Sequence, residues 1–594
     1  MRKKLFISIL MVFIFLVITN AWAGDIHPAL EKKLQKLAPG EKLAVIVELQ
    51  EQAKLYSVLS RLPDRTRRQR MQAVVQALRD VADRRQGSLR TFLKAQKKRG
   101  AVKRIIPFWI FNGMAVTATE PLIRQLAARP EVWEVRLDSI IPLPSPFPAG
   151  PNEPSPPHEW NIELIRAPEV WALDPDYNGA GSIVGIFDTG VDLTHPDLFS
   201  RYRGDHQISW FDPYDEHAVP YDPHGHGTHT AGTAVGGNAG GSSIGVAPGA
   251  TWIAAKAWND DGIATASAIH QIFEWFLAPG GNPDYAPDVV NNSWSFTQSG
   301  CETEFLADIQ AWRAADIFPA FAAGNNGPYP ESVRSPGAYP ISFAVGATDL
   351  FDEIALFSGR GVSPCDGSIK PDMSAPGEGI LSAYPLGYAT MSGTSMATPH
   401  IAGAVAVLRS IDPALTVDHL ETALTAGAKD LAEPGLDNDS GAGRLDLFVS
   451  AQIALLGPDF PVLNILATDA VATEAGPTTG AITISRTGST DEELEVKFSI
   501  SGTATPGIDY DPVGESIVIQ AGSDTASVFI TPIDDALIER DETVTLTILS
   551  DPAYFVPGSA AAIVTIESDE LFPDLDITSM SSPTTGSPGS SITI

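Results

Sequence analysis

Four residues spread along a chain of 594 have the types needed to hydrolyse an acyl bond through serine. Ser395, in Ser392-Gly-Thr-Ser-Met-Ala-Thr-Pro-His400, stands at the start of a helix pattern, where its hydroxyl can serve as a nucleophile. His226, in His226-Gly-Thr-His-Thr-Ala-Gly232, is the candidate base. Asp188, in Gly185-Ile-Phe-Asp-Thr-Gly190, supplies the carboxylate that fixes the imidazole tautomer and stabilises its charged form. Asn325, in Ala322-Ala-Gly-Asn-Asn326, offers an amide for the oxyanion beside the Ser395 backbone N–H. Losing such a donor costs about 10²–10³-fold in kcat. Each residue alone has a bland explanation, as a turn cap, an exposed imidazole or a helix N-cap. Together, in the order Asp, His, Ser, they specify a triad.

The surrounding sequence must position these groups. From residue 158 to 457, apolar runs alternate with helix patterns. Runs at 182–187, 252–257, 288–292 and 318–323 read as buried strands, and 266–277 and 304–314 as helices, which implies a mostly parallel sheet covered on both faces. Asp188 then falls at a strand carboxyl end, where open α/β sheets place their sites. Residues 24–140 read as a smaller α+β unit. It has a strand at 42–49, a basic helix with Met71, Val74, Val75, Leu78, Val81 and Ala82 at helical spacing, and further strands near 111–118 and 132–136. Residues 141–157 carry eight prolines and read as an exposed, extended linker, open to nicking. From 462 to 570, short runs alternate with period two and are separated by turn residues, the pattern of an all-β sandwich. Residues 571–594 read equally as the start of a further β domain or as a tail.

Charge divides the chain into two kinds of object. Residues 1–140 hold 26 of the 40 Lys+Arg and 12 of the 72 Asp+Glu, leaving 14 and 60 for the rest, a net charge of −46. So acidic a body argues against nucleic acid as a partner and is compatible with calcium. Residues 1–23 have a basic start, an apolar run over 5–18 and the small-x-small site Ala21-Trp-Ala23, as in a cleaved secretion signal. The run is short for a retained anchor, and no other stretch is long and apolar enough to cross a bilayer, so the expected destination is extracellular. Cys301 and Cys365 suit an oxidising compartment; their spacing allows a disulfide or two buried thiols.

Residues 160–456 resemble the subtilisin-family serine peptidases. The resemblance rests on Asp188-Thr-Gly190 running into His195-Pro-Asp-Leu198, His226-Gly-Thr-His229, Ala323-Gly-Asn325 and Gly393-Thr-Ser-Met-Ala-Thr-Pro399, with Phe343-Ala-Val-Gly-Ala347 and Lys370-Pro-Asp-Met-Ser-Ala-Pro376 beside them. Val290-Asn-Asn-Ser-Trp294 and Val333-Arg-Ser-Pro-Gly-Ala338 are similar to the bacillopeptidase F-like branch. The resemblance implies an endopeptidase made as a zymogen, with Asp188, His226 and Ser395 as triad, Asn325 as oxyanion donor and no cofactor in catalysis. It also implies that residues 24–140 are a propeptide that aids folding and then blocks the cleft. That segment carries +11 over residues 25–140, opposite in sign to the body, so electrostatic pairing of the two is expected. The alternative from another class is an adhesion protein with a decayed peptidase domain, against which the complete set of four residues argues.

Two regions depart from the family pattern or leave it open. Ser293, Trp294, Ser295 and Phe296 stand where the family lines its substrate pocket, with Ser295 and Phe296 in place of glycines, and Asn326 replaces a frequent acidic residue. No side-chain preference is carried over. Family calcium near Asp197 would rely on the loop 236–243, which offers only Asn238 as a side-chain ligand. The sandwich is similar to a Calx-β domain through Gly502-Thr-Ala-Thr-Pro-Gly-Ile-Asp-Tyr510 and residues 533–543. That resemblance implies structural calcium held by Glu474, Asp509, Asp534, Asp535 and Glu542; ordinary acidic loops on a solvated rim are the alternative.

Overall fold

The computed structural model describes residues 24–61, 66–143, 147–151, 157–431, 435–475, 478–534, 540–557 and 560–568. They divide into two compact units, one of residues up to 425 with 431–451, the other of 426–430 with residues from 452 onward. The basic segment opens the first unit with β1 (Asp25–Ile26), α1 (Pro28–Leu34), β2 (Lys42–Leu49), α2 (Arg67–Lys98), β3 (Val102–Phe108), β4 (Gly113–Thr119), α3 (Glu120–Ala127) and β5 (Val132–Leu137), and the chain after it adds β6 (Ile140–Ile141) and β7 (Phe147–Pro151). Its sheet has the order β1-β5-β2-β4-β3, antiparallel except for β1 against β5.

Helix α2 begins at a capping box in which Thr66 and Gln69 satisfy each other's backbone N–H groups. Its 32 residues give it a length of about 48 Å, longer than its own small sheet needs. Leu89 and Leu93 near its end join Val45, Val116, Leu122 and Leu126 in the core of the basic segment. Met71, Val74, Val75 and Leu78 near its start pack instead with Phe273, Phe276, Phe305 and Trp312 of the acidic body. One helix therefore buries its two halves in two different cores.

The body follows with β8 (Ile183–Asp188), β9 (Trp210–Phe211), α4 (His226–Val235), β10 (Thr251–Lys256), β11 (Ala264–Thr265), α5 (Ala266–Leu277), β12 (Val289–Asn292), α6 (Leu306–Ala314), β13 (Phe318–Ala322), β14 (Phe343–Thr348) and β15 (Met373–Pro376). Seven of these strands form a parallel sheet of order β15-β14-β13-β12-β8-β10-β9. Its strands are apolar and buried almost throughout, as a sheet covered on both faces requires. Cys301 and Cys365 are joined in a disulfide across 64 residues of sequence.

The described part of the Pro-rich stretch is paired rather than loose. Ile140–Ile141 adds an antiparallel edge to β11. Phe147–Pro151 lies along the outer side of a hairpin made by residues Ile380–Tyr384 and Gly387–Ser392. Pro148 and Pro151 sit on an edge strand, where a missing N–H breaks no interior ladder. The expected signal over 1–23 and the chain past 568 lie outside the described residues. Among the described residues no helix is long and apolar enough to cross a membrane.

The second unit is a sandwich. Residues Val462–Asp469, Gly480–Thr487 and Thr525–Ile530 form one sheet; residues Val471–Thr473, Ala561–Glu567, Glu542–Ile548, Leu494–Gly502 and Ser516–Ile519, in that spatial order, form the other. Inward residues such as Ile482, Ile484, Val496, Phe498, Leu546 and Val564 alternate with exposed ones and fill the core.

Candidate active site

Asp188 is the last residue of β8 and has no exposed surface. Its Oδ1 accepts from His226 Nδ1 at 2.6 Å and from the Thr189 N–H at 2.7 Å, and its Oδ2 accepts from Thr230 Oγ1 at 3.3 Å. A carboxylate facing Nδ1 places the proton on that nitrogen and leaves Nε2 as the acceptor. Among the described residues His226 Nε2 has no hydrogen-bond partner.

His226 opens α4, and a hub not foreseen from the sequence sets that helix. Asp222 accepts from Thr189 Oγ1, the Gly225 N–H, the Thr228 N–H and Thr228 Oγ1 at 2.6–2.9 Å. The Gly227 N–H in turn donates to Thr189 Oγ1 at 2.9 Å. Gly227 must lack a side chain, because a Cβ there would lie 2.1 Å from the Gly190 carbonyl oxygen. The sequence signal was available as an Asp four residues before the candidate base, just ahead of the Gly225 N-cap.

Ser395 is the second residue of a buried helix, Thr394–Ile411, which contains Pro399. Proline has no N–H to give to the residue four earlier, so the Ser395 carbonyl is released from the helix ladder. Ser293 Oγ donates to that carbonyl at 2.8 Å, and Ser395 Oγ donates to the Ser293 carbonyl at 3.0 Å. The expected Ser395–His226 hydrogen bond is therefore not made in this conformation; the hydroxyl is turned toward Ser293 instead.

Asn325 is oriented by the residue before the serine. Its Oδ1 accepts from the Thr394 N–H at 2.9 Å and from Thr394 Oγ1 at 2.8 Å, which leaves its NH₂ facing the other way. Thr394 Oγ1 also accepts from the Gly324 N–H at 3.2 Å. Oδ1 is thus consumed by structure, and Nδ2 is the free donor beside the first turn of the Ser395 helix, whose early N–H groups lack helical acceptors.

The four residues expected to line the substrate pocket follow β12, which ends at Asn292, and their side chains part in two directions. Trp294 and Phe296 turn inward: Trp294 packs edge-on to Phe187, Phe305 and Phe321, and Phe296 stacks on Phe305 at 5.6 Å. Both are buried in the aromatic core. Ser293 Oγ reaches the Ser395 carbonyl instead, and Ser295 Oγ lies toward Gly324.

The basic segment packs on the body through β11 and α5. The Ala266 N–H donates to the Ser139 carbonyl at 2.8 Å, and Trp258 Nε1 to the Ile141 carbonyl at 3.2 Å. The Asp138 carboxylate accepts from the Ser267 N–H and Oγ. Glu274 accepts from the Trp109 and Ile110 N–H groups at 2.6 and 3.2 Å; burial pushes its carboxyl up to about 8. Arg67 pairs with Asp288 at 2.9 Å, Arg70 with Asp316 at 3.2 Å, and Arg136 with Glu304 at 2.8 Å and Glu48 at 2.7 Å. His270 lies between Asp308 and Glu304, against the rings of Phe108, Phe111 and Phe305. Burial alone would lower its pKa, but the two carboxylates raise it to about 9.

The carboxylates considered for calcium stand as follows. Both Asp197 oxygens are engaged, by the Ala239 N–H and by the Tyr388 hydroxyl, so protein donors already satisfy that group. In the sandwich, Thr473 lies opposite Glu567 and Glu542 opposite Ile566, which brings Glu474 and Glu542 to one end. The Ile533 N–H donates to the Asp509 carbonyl, placing Asp534 at that end too. Asp509 Oδ2 accepts from the Thr505 N–H at 2.5 Å. Asp535 lies outside the described residues. The donors suit calcium in kind, but among the described residues no three of these carboxylates bring ligand oxygens within 4.8 Å of one another. The grouping that does so, Glu216, His217 and Asp260, already holds the Lys256 ammonium.

The Subtilase family profile matches residues 179–443, and the Calx-beta domain profile matches residues 461–570. The chain is 38% identical over 448 residues to Bacillopeptidase F of Bacillus subtilis (strain 168), covering 70% of this chain and 31% of that protein. It is 34% identical over 295 residues to Serine protease AprX of the same organism, covering 45% of this chain and 65% of AprX. It is 34% identical over 291 residues to Subtilisin BL of Lederbergia lenta, covering 48% of this chain and 98% of that protein. The chain thus spans under a third of the length of Bacillopeptidase F and under two thirds of AprX.

Proposed function

The chain belongs to the subtilase family, and from that we propose that it is a secreted serine endopeptidase made as a zymogen. The observation that carries this reading is the buried Asp188–His226 pair at 2.6 Å with Nε2 left free, on the same site as Ser395 and a pre-oriented Asn325. In the reaction, Ser395 Oγ leaves the Ser293 carbonyl and passes its proton to His226 Nε2 as it bonds to the substrate carbonyl carbon. The electron pair of the C=O bond moves to oxygen, which Asn325 Nδ2 and the Ser395 N–H receive. Collapse of this intermediate expels the amine, which takes the proton from Nε2. Water, deprotonated by His226, then repeats the sequence on the acyl-enzyme and frees the acid. A fluorophosphonate probe labels the processed wild type and not Ser395→Ala; an unlabelled wild type sinks the proposal.

The zymogen part is supported by the chain at 138–141 lying on β11 and by the ion pairs that tie the basic segment to the body. Processing falls within or close to the Pro-rich stretch 141–157. N-terminal sequencing of the active species tests this, and an active enzyme that retains residues 24–140 overturns it. Secretion rests on the character of residues 1–23 and is checked by whether the processed form accumulates outside the cells. Structural calcium at the acidic end of the sandwich is part of the same proposal. It predicts a lower Tm on chelation, and an unchanged Tm with no heat of binding ends it.

A further inference from the structure

We propose that Arg334 is the specificity-determining residue of the pocket beside Ser395, and that it selects peptides with a carboxylate side chain, Glu or Asp, on the residue that provides the scissile carbonyl. The inference rests on the peptidase reading above. A substrate whose carbonyl oxygen reaches Asn325 Nδ2 must lay the side chain of that residue against the backbone just before Asn325, which is Gly324. Gly324 has φ +98° and no side chain, and the direction in which its Cβ would project shows what bounds the space. A Cβ there would lie 3.1 Å from Arg334 Cγ, 3.2 Å from Arg334 Cβ and 3.6 Å from Ser295 Oγ. The arginine stem and a serine hydroxyl are therefore the side-chain atoms nearest the bare face of Gly324.

The guanidinium is not neutralised by the protein. One terminal nitrogen donates to the carbonyls of Glu331 and Val333 at 3.2 and 3.3 Å, and the Arg334 N–H is fixed to the Ala323 carbonyl at 2.9 Å. Nε is buried and has no hydrogen-bond partner among the described residues. No carboxylate among the described residues comes within 4.0 Å, whereas Arg136, Arg313, Arg409 and Arg444 each face one. Burial lowers the Arg334 pKa with no neighbouring acid to oppose it. The segment lying on β11 brings no partner either: its one acid between residues 138 and 143, Asp138, is held by Ser267. A half-buried cation with an open donor face, next to an oxyanion amide and a hydroxyl, fits a carboxylate side chain.

The test uses processed enzyme and a set of quenched-fluorescence peptides that differ only at the residue before the cut: Glu, Asp, Gln, Phe and Lys. Glu is expected to exceed its uncharged isostere Gln by at least about tenfold in kcat/KM, a preference that weakens with added salt. Arg334→Met brings the Glu to Gln ratio close to 1 while fluorophosphonate still labels Ser395. Arg334→Lys, the milder change, retains part of the preference. A wild-type ratio of 1 or below, or one that Arg334→Met leaves unchanged, overturns the assignment. If neither labelling nor cleavage of any peptide is seen, the peptidase reading fails and this inference falls with it; labelling with no acidic preference defeats this inference alone.

Discussion

Arginines in two neighbourhoods of the first unit have opposite surroundings. Where the basic segment meets the body, Arg67, Arg70 and Arg136 each meet carboxylates, and Asp316 serves Arg67, Arg70 and the buried Arg409 at once. Among the described residues Arg334, beside Asn325, meets none. A buried ion that is matched inside the chain is fixed structure, since separating the partners exposes an uncompensated charge. An ion left unmatched beside a reactive group keeps its Coulombic attraction for whatever enters. The same residue type thus holds a segment in place at one site and is available to a ligand at the other.

The comparison can be broken most severely at Asp188, whose carboxylate the proposed mechanism reserves for an imidazolium formed during turnover. Asp188→Asn should leave the fold intact and lower kcat by about 10⁴-fold, because the imidazole loses both its tautomer lock and its counter-charge. Peptide hydrolysis beside an unchanged unfolding midpoint checks this. Next in size is Asp316→Asn, which strips the shared counter-ion from Arg409, a side chain only 2% exposed. Removing one partner of a buried pair costs about 3–5 kcal/mol, so chemical denaturation of the Ser395→Ala zymogen should show a loss on that scale.

A smaller effect is expected from ionic strength. The isolated basic segment should inhibit the processed enzyme less tightly as salt rises, and Arg136→Ala should reduce that dependence. Salt-independent inhibition would show that the apolar contacts of Met71, Val74 and Leu78 carry the association alone. The mildest test is pH. The folded-state pKa of His270 is raised to about 9, so its contribution is complete below about 6.5 and lost as pH rises through 9. Glu274, raised to about 8, works in the same direction over lower pH, because the folded zymogen resists ionising it. Unfolding free energy of the zymogen should therefore decline from pH 6.5 to 9, and His270→Gln should flatten the upper part of that decline.

Much of the architecture was legible beforehand. The expected strands at 42–49 and 182–187 match Lys42–Leu49 and Ile183–Asp188, and the helix at 266–277 matches α5 residue for residue. These are long runs whose hydrophobic period reports the face they bury. The pocket was less legible, because Ser293 to Phe296 are adjacent in sequence while Trp294 and Phe296 join the aromatic core and Ser293 reaches the Ser395 carbonyl. Nor did sequence reveal that α2 divides itself between two cores, since both halves show the same helical spacing.

By itself the sequence determined the order of the chemistry-bearing residues, the parallel sheet that carries them and the sandwich that follows. Local pattern suffices for these, because period and turn chemistry are properties of neighbouring residues. Only the tertiary structure decided which way the Ser395 hydroxyl points, that Thr394 orients Asn325 and Asp222 the start of the His226 helix, and that Arg334 lies against Gly324 with no counter-charge among the described residues. Those outcomes depend on atoms brought together from loops tens to hundreds of residues apart, where charge balance and hydrogen-bond satisfaction follow from packing rather than from spacing along the chain.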